Sequence, residues 1–144
     1  MESDLHVEIA ARLKRDGQRY SRNRRALVEI LRDAKQPQAI PDILRAKPEL
    51  PQSSAYRNLT VLERSHVVRR VITGEDFAHF ELVEDLTEHH HHLVCSNCGR
   101  VEDVQISSGL EQSMEHALDA VADQAGFTTV SHRLDLVGTC RNCA

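Results

Sequence analysis

The stretch HHHHLVCSNCGRVED, residues His89 to Asp103, decides how the chain is organised, because it places four histidines just before a Cys-x-x-Cys pair. A purification tag stands at a chain end beside a linker, whereas this run lies mid-chain and continues into Leu93 and Val94. Histidine and cysteine are common ligands of Zn²⁺ and related ions. The stretch therefore indicates a metal site, with a solvated histidine run that binds nothing natively as the alternative.

A second Cys-x-x-Cys pair lies at the C-terminal end, so the chain has two such pairs separated by residues 99 to 139. Two pairs are typical of a structural zinc site, in which four sulfurs surround the ion and leave no open position. The predicted ligands are Cys95, Cys98, Cys140 and Cys143. Two disulfides or ordinary buried thiols are the alternative, which a chain without a secretion signal makes weaker.

The histidine run has the alternation needed to serve two sites. Alternate residues of a strand share a face, so the pair His89 and His91 and the pair His90 and His92 point in opposite directions. Residues elsewhere in the chain could complete the two sites: His79 with Glu81, and Glu111 with His132. Imidazole and carboxylate ligands suit Zn²⁺, Fe²⁺ or Mn²⁺ without selecting among them.

The charge distribution divides the chain into two halves. Residues 1 to 70 hold 15 of the 18 Lys and Arg and 9 of the 22 Asp and Glu, a net charge of +6, whereas residues 71 to 144 carry −10. A basic half joined to an acidic, histidine-rich half predicts one part for a polyanion and one for cations. No stretch is apolar enough for a membrane span, and the acidic start MESDLHVEIA is unlike a signal peptide, so we expect a cytoplasmic protein.

The first half has the pattern of four helices followed by a hairpin. Leu5, Ile9 and Leu13 share one helix face, Ser21 caps a second helix, Pro41 opens a third, and Ser53 or Ser54 caps a fourth. The stretch VVRRVI, the turn TGED and the stretch FAHFEL then predict a β-hairpin. Helices followed by a hairpin are typical of a winged helix-turn-helix, in which we expect the fourth helix to read the major groove.

The second half predicts a small α/β unit. HLVC, RVEDVQI and FTTVSHRLDLVGTC have the composition of strands, and the helix between them has an apolar stripe that ends before Gly126. So small a unit cannot bury that stripe alone, so we expect a homodimer. The predicted fold is α+β, with a winged-helix domain at 1–82, a hinge at 83–88 and a dimerisation and metal-binding domain at 89–144.

From about Arg12 to Cys143 the chain resembles the ferric uptake regulator (Fur) superfamily. The matching segments are GQRYS at 17–21, SAYRNL at 54–59 with VLE at 61–63, HFEL at 79–82, HHHHLVCSNCG at 89–99, and His132 eight positions before Cys140. The resemblance implies a dimeric, metal-dependent repressor that binds palindromic operator DNA and controls metal-homeostasis genes, with the four cysteines as its structural zinc site.

The resemblance also implies two further metal sites. The regulatory ligands it implies are Glu81, His90 and His92, with His79 and Asp103 as additions, and the accessory ligands are His89, His91, Glu111 and His132. Iron-sensing members usually supply a histidine where this chain has Pro37-Gln38-Ala39, and zinc-sensing members commonly add a cysteine near the wing, where this chain has none. Peroxide sensors usually have aspartate at the position of Glu81. The resemblance thus implies iron or zinc as co-repressor, with manganese or peroxide sensing as the alternative.

The fourth helix carries the candidate DNA contacts. Arg57 suits a guanine edge and Tyr56 a thymine methyl group or a phosphate, while Ser54 and Asn58 suit the DNA backbone. Lys14 and Arg19 lie where the resembled family inserts a basic residue near the minor groove.

A zinc hydrolase is the competing interpretation from another class. His79-Phe80-Glu81 followed by Cys95-x-x-Cys98 imitates the H-x-E and P-C-x-x-C signature of the zinc deaminases. Val94 replaces the expected proline, however, and Cys140 with Cys143 would have no role. We therefore expect a regulator and not an enzyme.

Overall fold

Five helices and two small sheets make up the protein, whose computed structural model describes residues 2–71 and 78–144. The helices are α1 Glu2–Arg15, α2 Arg22–Asp33, α3 Ile40–Ala46, α4 Gln52–Arg64 and α5 Ser108–Ala125. The strands are β1 Gln38–Ala39, β2 Val68–Val71, β3 His79–Leu82, β4 His91–Cys95, β5 Val101–Val104 and β6 Asp135–Gly138. This mixture confirms the predicted α+β class.

Helices α1 and α2 have the buried face, the following turn and the cap that the sequence predicted. Ile9 and Leu13 are fully buried on the inner face of α1, and Gly17, with a φ of +70°, lies in the turn that follows. The Ser21 side chain accepts a hydrogen bond from the backbone N–H of Arg24 and so caps α2.

The start of α4 differs from the prediction. The helix begins at Gln52 with Pro51 in the cap position, so Ser53 and Ser54 lie inside its first turn and cap nothing. Proline has no N–H and its fixed φ suits a helix start, which explains why the helix begins earlier. Leu59 and Leu62 of α4 are buried, in agreement with the predicted inner face.

The predicted hairpin strands form the first sheet. Strands β2 and β3 pair antiparallel, β1 pairs with the other edge of β3, and the order is β1-β3-β2. The turn TGED lies outside the described residues. Phe80 and Leu82 of β3 are buried in the core that the four N-terminal helices build, so the sheet and helices form one packed unit.

The predicted hinge contains a short 3-10 helix, Glu84–Leu86, and leads into the second sheet. That sheet has the order β5-β4-β6, with β4 antiparallel to β5 and parallel to β6. The final strand is much shorter than predicted, since residues 127–134 run as irregular chain before β6 pairs with β4. The domain boundaries at 82 and 89 stay a prediction.

Helix α5 presents its apolar side chains to solvent. Ser107 caps its start and Gly126, with a φ of +78°, ends it, as predicted for the end. Leu110, Leu118 and Val121 are 56%, 41% and 63% exposed, and Val137 of β6 is 69% exposed. Among the described residues, none of the helices has the length and apolar character needed to cross a membrane.

Candidate metal centres

Three clusters of potential metal ligands occur among the described residues, and within each the ligand atoms all lie within 4.8 Å of one another. The thiol cluster is Cys95, Cys98, Cys140 and Cys143; the Glu81 cluster is Glu81, His90, His92 and Asp103; the Glu111 cluster is His89, His91, Glu111 and His132. The structure thus brings together every residue predicted as a metal ligand except His79.

The thiol cluster forms where the C-terminal turn meets the end of β4. Cys95 is the last residue of β4, and Gly99, with a φ of +76°, allows the tight turn that follows Cys98. All four cysteines are free, and the Sγ atoms of Cys98 and Cys140 are 3.8 Å apart, far beyond a disulfide bond. Two Cys-x-x-Cys turns therefore converge as the spacing predicted.

The electrostatics of the thiol cluster suit a cation. Backbone N–H groups of Cys140 and Cys98 donate to Sγ of Cys95, at 3.3 and 3.5 Å, and lower the pKa of that thiol to about 6. At Cys143, a hydrogen bond with Asn97 lowers the pKa, but the neighbouring sulfurs and burial raise it to about 11. A positive charge would favour ionisation of Cys95 and Cys143 together, and four sulfur donors match Zn²⁺.

The Glu81 cluster joins β3 to β4 and β5. Oε2 of Glu81 lies 2.8 Å from Nε2 of His90, and Oε1 lies 3.0 Å from Nε2 of His92. Asp103 stands at the edge, with Oδ1 3.8 and 3.7 Å from the same two nitrogens. Burial alone would raise the pKa of Glu81. Hydrogen bonds from His92 and His90 outweigh burial and lower the pKa to about 2.

Both ring nitrogens of His90 lie within hydrogen-bonding distance of oxygen atoms that can act as acceptors. Nδ1 of His90 lies 2.9 Å from the backbone carbonyl of Glu88, which can only accept, so Nδ1 carries a proton. In a neutral imidazole, Nε2 would then present a lone pair to the Glu81 carboxylate. A metal ion at Nε2 would remove that conflict, so the donor set fits a divalent cation.

Asp135 and a cleft complete the surroundings of the Glu81 cluster. Nδ1 of His92 lies 3.1 Å from Oδ1 of Asp135, which orients the ring so that Nε2 faces Glu81. Burial lowers the pKa of His92, but hydrogen bonds and charge from Glu81 and Asp135 raise it overall. A cleft of about 400 Å³ borders the cluster, and Gln36, from the loop before α3, is among its lining residues.

The Glu111 cluster surrounds one carboxylate with three imidazoles. Oε1 of Glu111 is hydrogen-bonded to Nε2 of His89 at 2.7 Å and to His132, and Oε2 is bonded to Nε2 of His91 at 2.8 Å. Burial raises the pKa of Glu111, but the hydrogen bonds from His91, His89 and His132 lower it to about 2. Nδ1 of His89 also contacts Glu84 of the linking segment. This cluster therefore fits a cation as well.

His79 lies apart from all three clusters. His79 lies on the same face of β3 as Glu81 but at the start of the strand. Two residues of strand separate their backbones by about 6.6 Å. Its Nδ1 is buried and has no hydrogen-bond partner among the described residues. The hydrolase interpretation, which needs His79 beside Cys95 and Cys98, therefore finds no such grouping in the described part of the chain.

Arg69, Asp135 and Glu84 contact the clusters but were missed by the sequence analysis. Arg69 lies opposite Glu81 in the β2–β3 pairing, and Asp135 lies opposite His92 in the β4–β6 pairing. A hairpin symmetric about the TGED turn would place Val68, and not Arg69, opposite Glu81, so the sequence pattern did not give this register. No sequence signal gives the register of the parallel β4–β6 pair, so Asp135 was invisible.

The predicted DNA-contacting residues divide into two groups. Lys14, Arg19 and Arg57 are exposed, and Tyr56 is 51% exposed. Ser54 and Asn58 are each only 9% exposed. Asn58 donates to Ser54 at 3.1 Å and accepts from Nε of Arg24 at 2.9 Å, so these two side chains tie α4 to α2. Their burial favours orienting the helix over contacting DNA.

Comparison with known proteins gives consistent matches along the whole chain. The Ferric uptake regulator family matches residues 15–137. The Peroxide operon regulator of Bacillus subtilis is 30% identical over 141 residues, covering 95% of this chain and 92% of that protein. The Peroxide-responsive repressor PerR of Staphylococcus aureus is 26% identical over 149 residues, and the match covers 99% of this chain and 93% of that protein.

A solved structure has the same fold. The ferric uptake regulator Fur of Helicobacter pylori, described as having three functional metal binding sites, superposes with a TM-score of 0.76. The match covers 99% of this chain and 93% of that chain at 21% identity.

Proposed function

Because this chain belongs to the ferric uptake regulator family of metal-responsive regulators, we propose that it is a cytoplasmic repressor that uses iron or zinc to bind palindromic operator DNA as a homodimer. Mn²⁺ is a further ion that the ligands accept. The genes under its control are those of metal homeostasis.

One observation carries the proposal: the Glu81 cluster joins residues from both sides of the linking segment 83–88. Glu81 belongs to β3 of the first sheet, whereas His92 and Asp103 belong to β4 and β5 of the second. Glu81, His90 and His92 would hold a divalent ion jointly, and the ion would supply positive charge between the carboxylate and the two rings. Ligands from both sides of the linking segment would then fix the winged helix relative to the second sheet.

The fixed arrangement sets the spacing of two reading helices. In a dimer, α4 of each protomer must reach half-sites about one helical turn of DNA apart. A bound metal ion can favour the fixed arrangement only as far as it binds that arrangement more tightly than the mobile one. A coupling of about 1–3 kcal/mol is typical of such regulation. Lys14, Arg19, Tyr56 and Arg57 are the exposed residues proposed to contact DNA.

The other two clusters are proposed to support this function. The thiol cluster would hold a structural Zn²⁺ and tie the C-terminus to β4, and the Glu111 cluster would bind an accessory ion. The exposed apolar side chains of α5, with those of β6, are proposed as the dimer interface, since a monomer rarely leaves such a surface uncovered.

Peroxide sensing is the second candidate, because two relatives that match nearly the whole chain are named for peroxide response. Glu81 argues against it, since the resembled peroxide sensors usually have aspartate there. The two candidates differ in one measurement. If the protein senses peroxide, hydrogen peroxide should lower the DNA affinity of the metal-loaded form, and if it senses metal, DNA affinity should follow the free metal concentration alone.

The decisive experiment is DNA binding at controlled free metal. A duplex selected from random sequences by the metal-loaded protein is titrated with protein stripped of exchangeable metal, at buffered concentrations of Zn²⁺, Fe²⁺ and Mn²⁺. We expect one ion to raise affinity at least about tenfold. Glu81→Ala and His90→Ala should lose this response, and His116→Ala, an exposed histidine of α5, should keep it. If none of the ions changes affinity in the unaltered protein, the proposal is wrong.

A further inference from the structure

Arg69 contacts the same carboxylate that the Glu81 cluster offers to a cation. Nε and Nη2 of Arg69 both lie 2.7 Å from Oε1 of Glu81, and the two residues are directly opposite in the β2–β3 pairing. Their side chains are only 13% and 8% exposed. The guanidinium is therefore a buried positive charge held next to the candidate metal ligands.

The position of Arg69 has two opposite effects. Without a metal ion, the guanidinium compensates the Glu81 carboxylate and keeps it oriented, because a buried carboxylate without a partner is costly. With a divalent ion, the same guanidinium shares Oε1 and repels the ion. With neutral imidazoles, Glu81, Asp103 and Arg69 together carry a net charge of −1, and a cluster without the arginine would carry −2.

We propose that Arg69 is a positioning residue that sets the cation affinity of the Glu81 cluster, holding Glu81 in place while weakening its attraction for a divalent ion. The inference rests on the proposed regulatory role of this cluster. Arg69 then determines the free metal concentration at which the regulator responds, since a weaker site fills only at a higher concentration.

Arg70 provides a matched comparison one residue away. Its side chain lies on the opposite face of β2, where it pairs with Glu63 at 2.9 Å and stacks over Phe80, with its guanidinium carbon 5.3 Å from the ring centre. It is 48% exposed. Arg70→Gln thus removes an arginine from the same strand without altering the charge at the Glu81 cluster.

The experiment measures metal affinity without DNA. Binding of Mn²⁺ is followed by the electron paramagnetic resonance signal of the free ion, and binding of Zn²⁺ by competition with a chelating dye. The Glu81 site is identified as the one that His90→Ala abolishes. Removal of one charge beside a partly buried ion changes affinity by about tenfold to hundredfold. We therefore expect Arg69→Gln to bind at least about tenfold more tightly at this site.

The remaining variants separate charge from structure. Arg69→Lys keeps a positive charge beside Glu81 and should bind less tightly than Arg69→Gln, and Arg70→Gln should stay within about threefold of the unaltered protein. If Arg69→Gln loses its helical circular dichroism, Arg69→Met replaces it, because it fills similar volume without charge. Unchanged or weaker binding in the folded neutral variant overturns the role of Arg69 and leaves the regulator proposal standing. A protein with no His90-dependent site overturns both.

Discussion

Arg12 of α1 and Asp85 of the linking segment form an ion pair, with Nη2 of Arg12 2.6 Å from Oδ2 of Asp85. Arg12 also donates to the backbone carbonyl of His66 at 2.7 Å and is only 13% exposed. Leu86 packs against the N-terminal core. The first half of the predicted hinge is thus fastened to the winged helix.

We expect Arg12→Ala to lower the free energy of unfolding by about 1 kcal/mol, because it removes a partly buried ion pair and a hydrogen bond to a carbonyl. The hydrogen bond from Arg12 lowers the pKa of Asp85. The contribution of Asp85 is therefore present above the ordinary aspartate pKa and is lost as pH falls through the lowered value. Urea unfolding of both proteins should show the difference shrinking below about pH 4. Arg15→Ala, 70% exposed, should change stability little.

Asp135→Ala should weaken metal binding at the Glu81 cluster by about tenfold to hundredfold, because His92 loses the partner that orients its ring. The measurement is the same metal titration, in the absence of DNA. Asp123→Asn, on the exposed surface of α5, should bind like the unaltered protein. Equal affinities in Asp135→Ala and the unaltered protein would show that β4 alone orients His92.

The purified protein should hold about one tightly bound zinc ion per chain in the thiol cluster. Cys143→Ser should lose that ion, and the amides of β6 should exchange hydrogen faster, since the C-terminal turn is no longer tied to Cys95. Elemental analysis and hydrogen exchange measure the two effects. Arg141→Ala changes an exposed residue of the same turn and serves as the control. Zinc retained by the serine variant would contradict the assignment.

Tyr20 should ionise only at high pH. Burial raises its pKa from 10.0 to about 12, and its hydroxyl lies 2.6 Å from Nδ1 of His6. Its contribution to stability is present below about pH 10 and is lost as pH rises through about 12. In Tyr56→Phe protein, tyrosinate absorbance should therefore appear near pH 12, together with loss of helical circular dichroism. Ionisation near pH 10 with the fold intact would count against the burial of Tyr20.

Arg57→Ala should reduce binding to the selected operator by about 1–3 kcal/mol and leave binding to random DNA nearly unchanged, since Arg57 is proposed to read a guanine. Arg64, exposed in the last turn of α4, gives the matched control Arg64→Ala. Zinc content and oligomeric state should stay the same in both variants. Loss of folding in Arg57→Ala would instead assign Arg57 a structural role.

The elements found from sequence were those with strong local signals. Ser21 marks the start of α2 and Gly126 marks the end of α5, because a hydroxyl cap and a left-handed glycine are local features of the chain. The paired Cys-x-x-Cys motifs also gave the thiol cluster directly, because their spacing allows little else.

What sequence could not give were contacts between segments distant in the chain. The sequence suggested DNA-backbone contacts for Ser54 and Asn58 but gave no sign that both are buried, or that Asn58 accepts a hydrogen bond from Arg24 of α2. Arg69 and Asp135 depend on strand registers, which a single sequence does not specify.

The four consecutive histidines also limit how this gene segment can evolve. Alternate positions serve different clusters, so deletion or insertion of one codon within the run would turn the displaced imidazoles to the wrong side. Both clusters would be damaged by one such event, whereas a missense change at His89 or His90 removes a ligand from only one. Descendants of this sequence are therefore expected to differ here by replacement and to keep the length of the run.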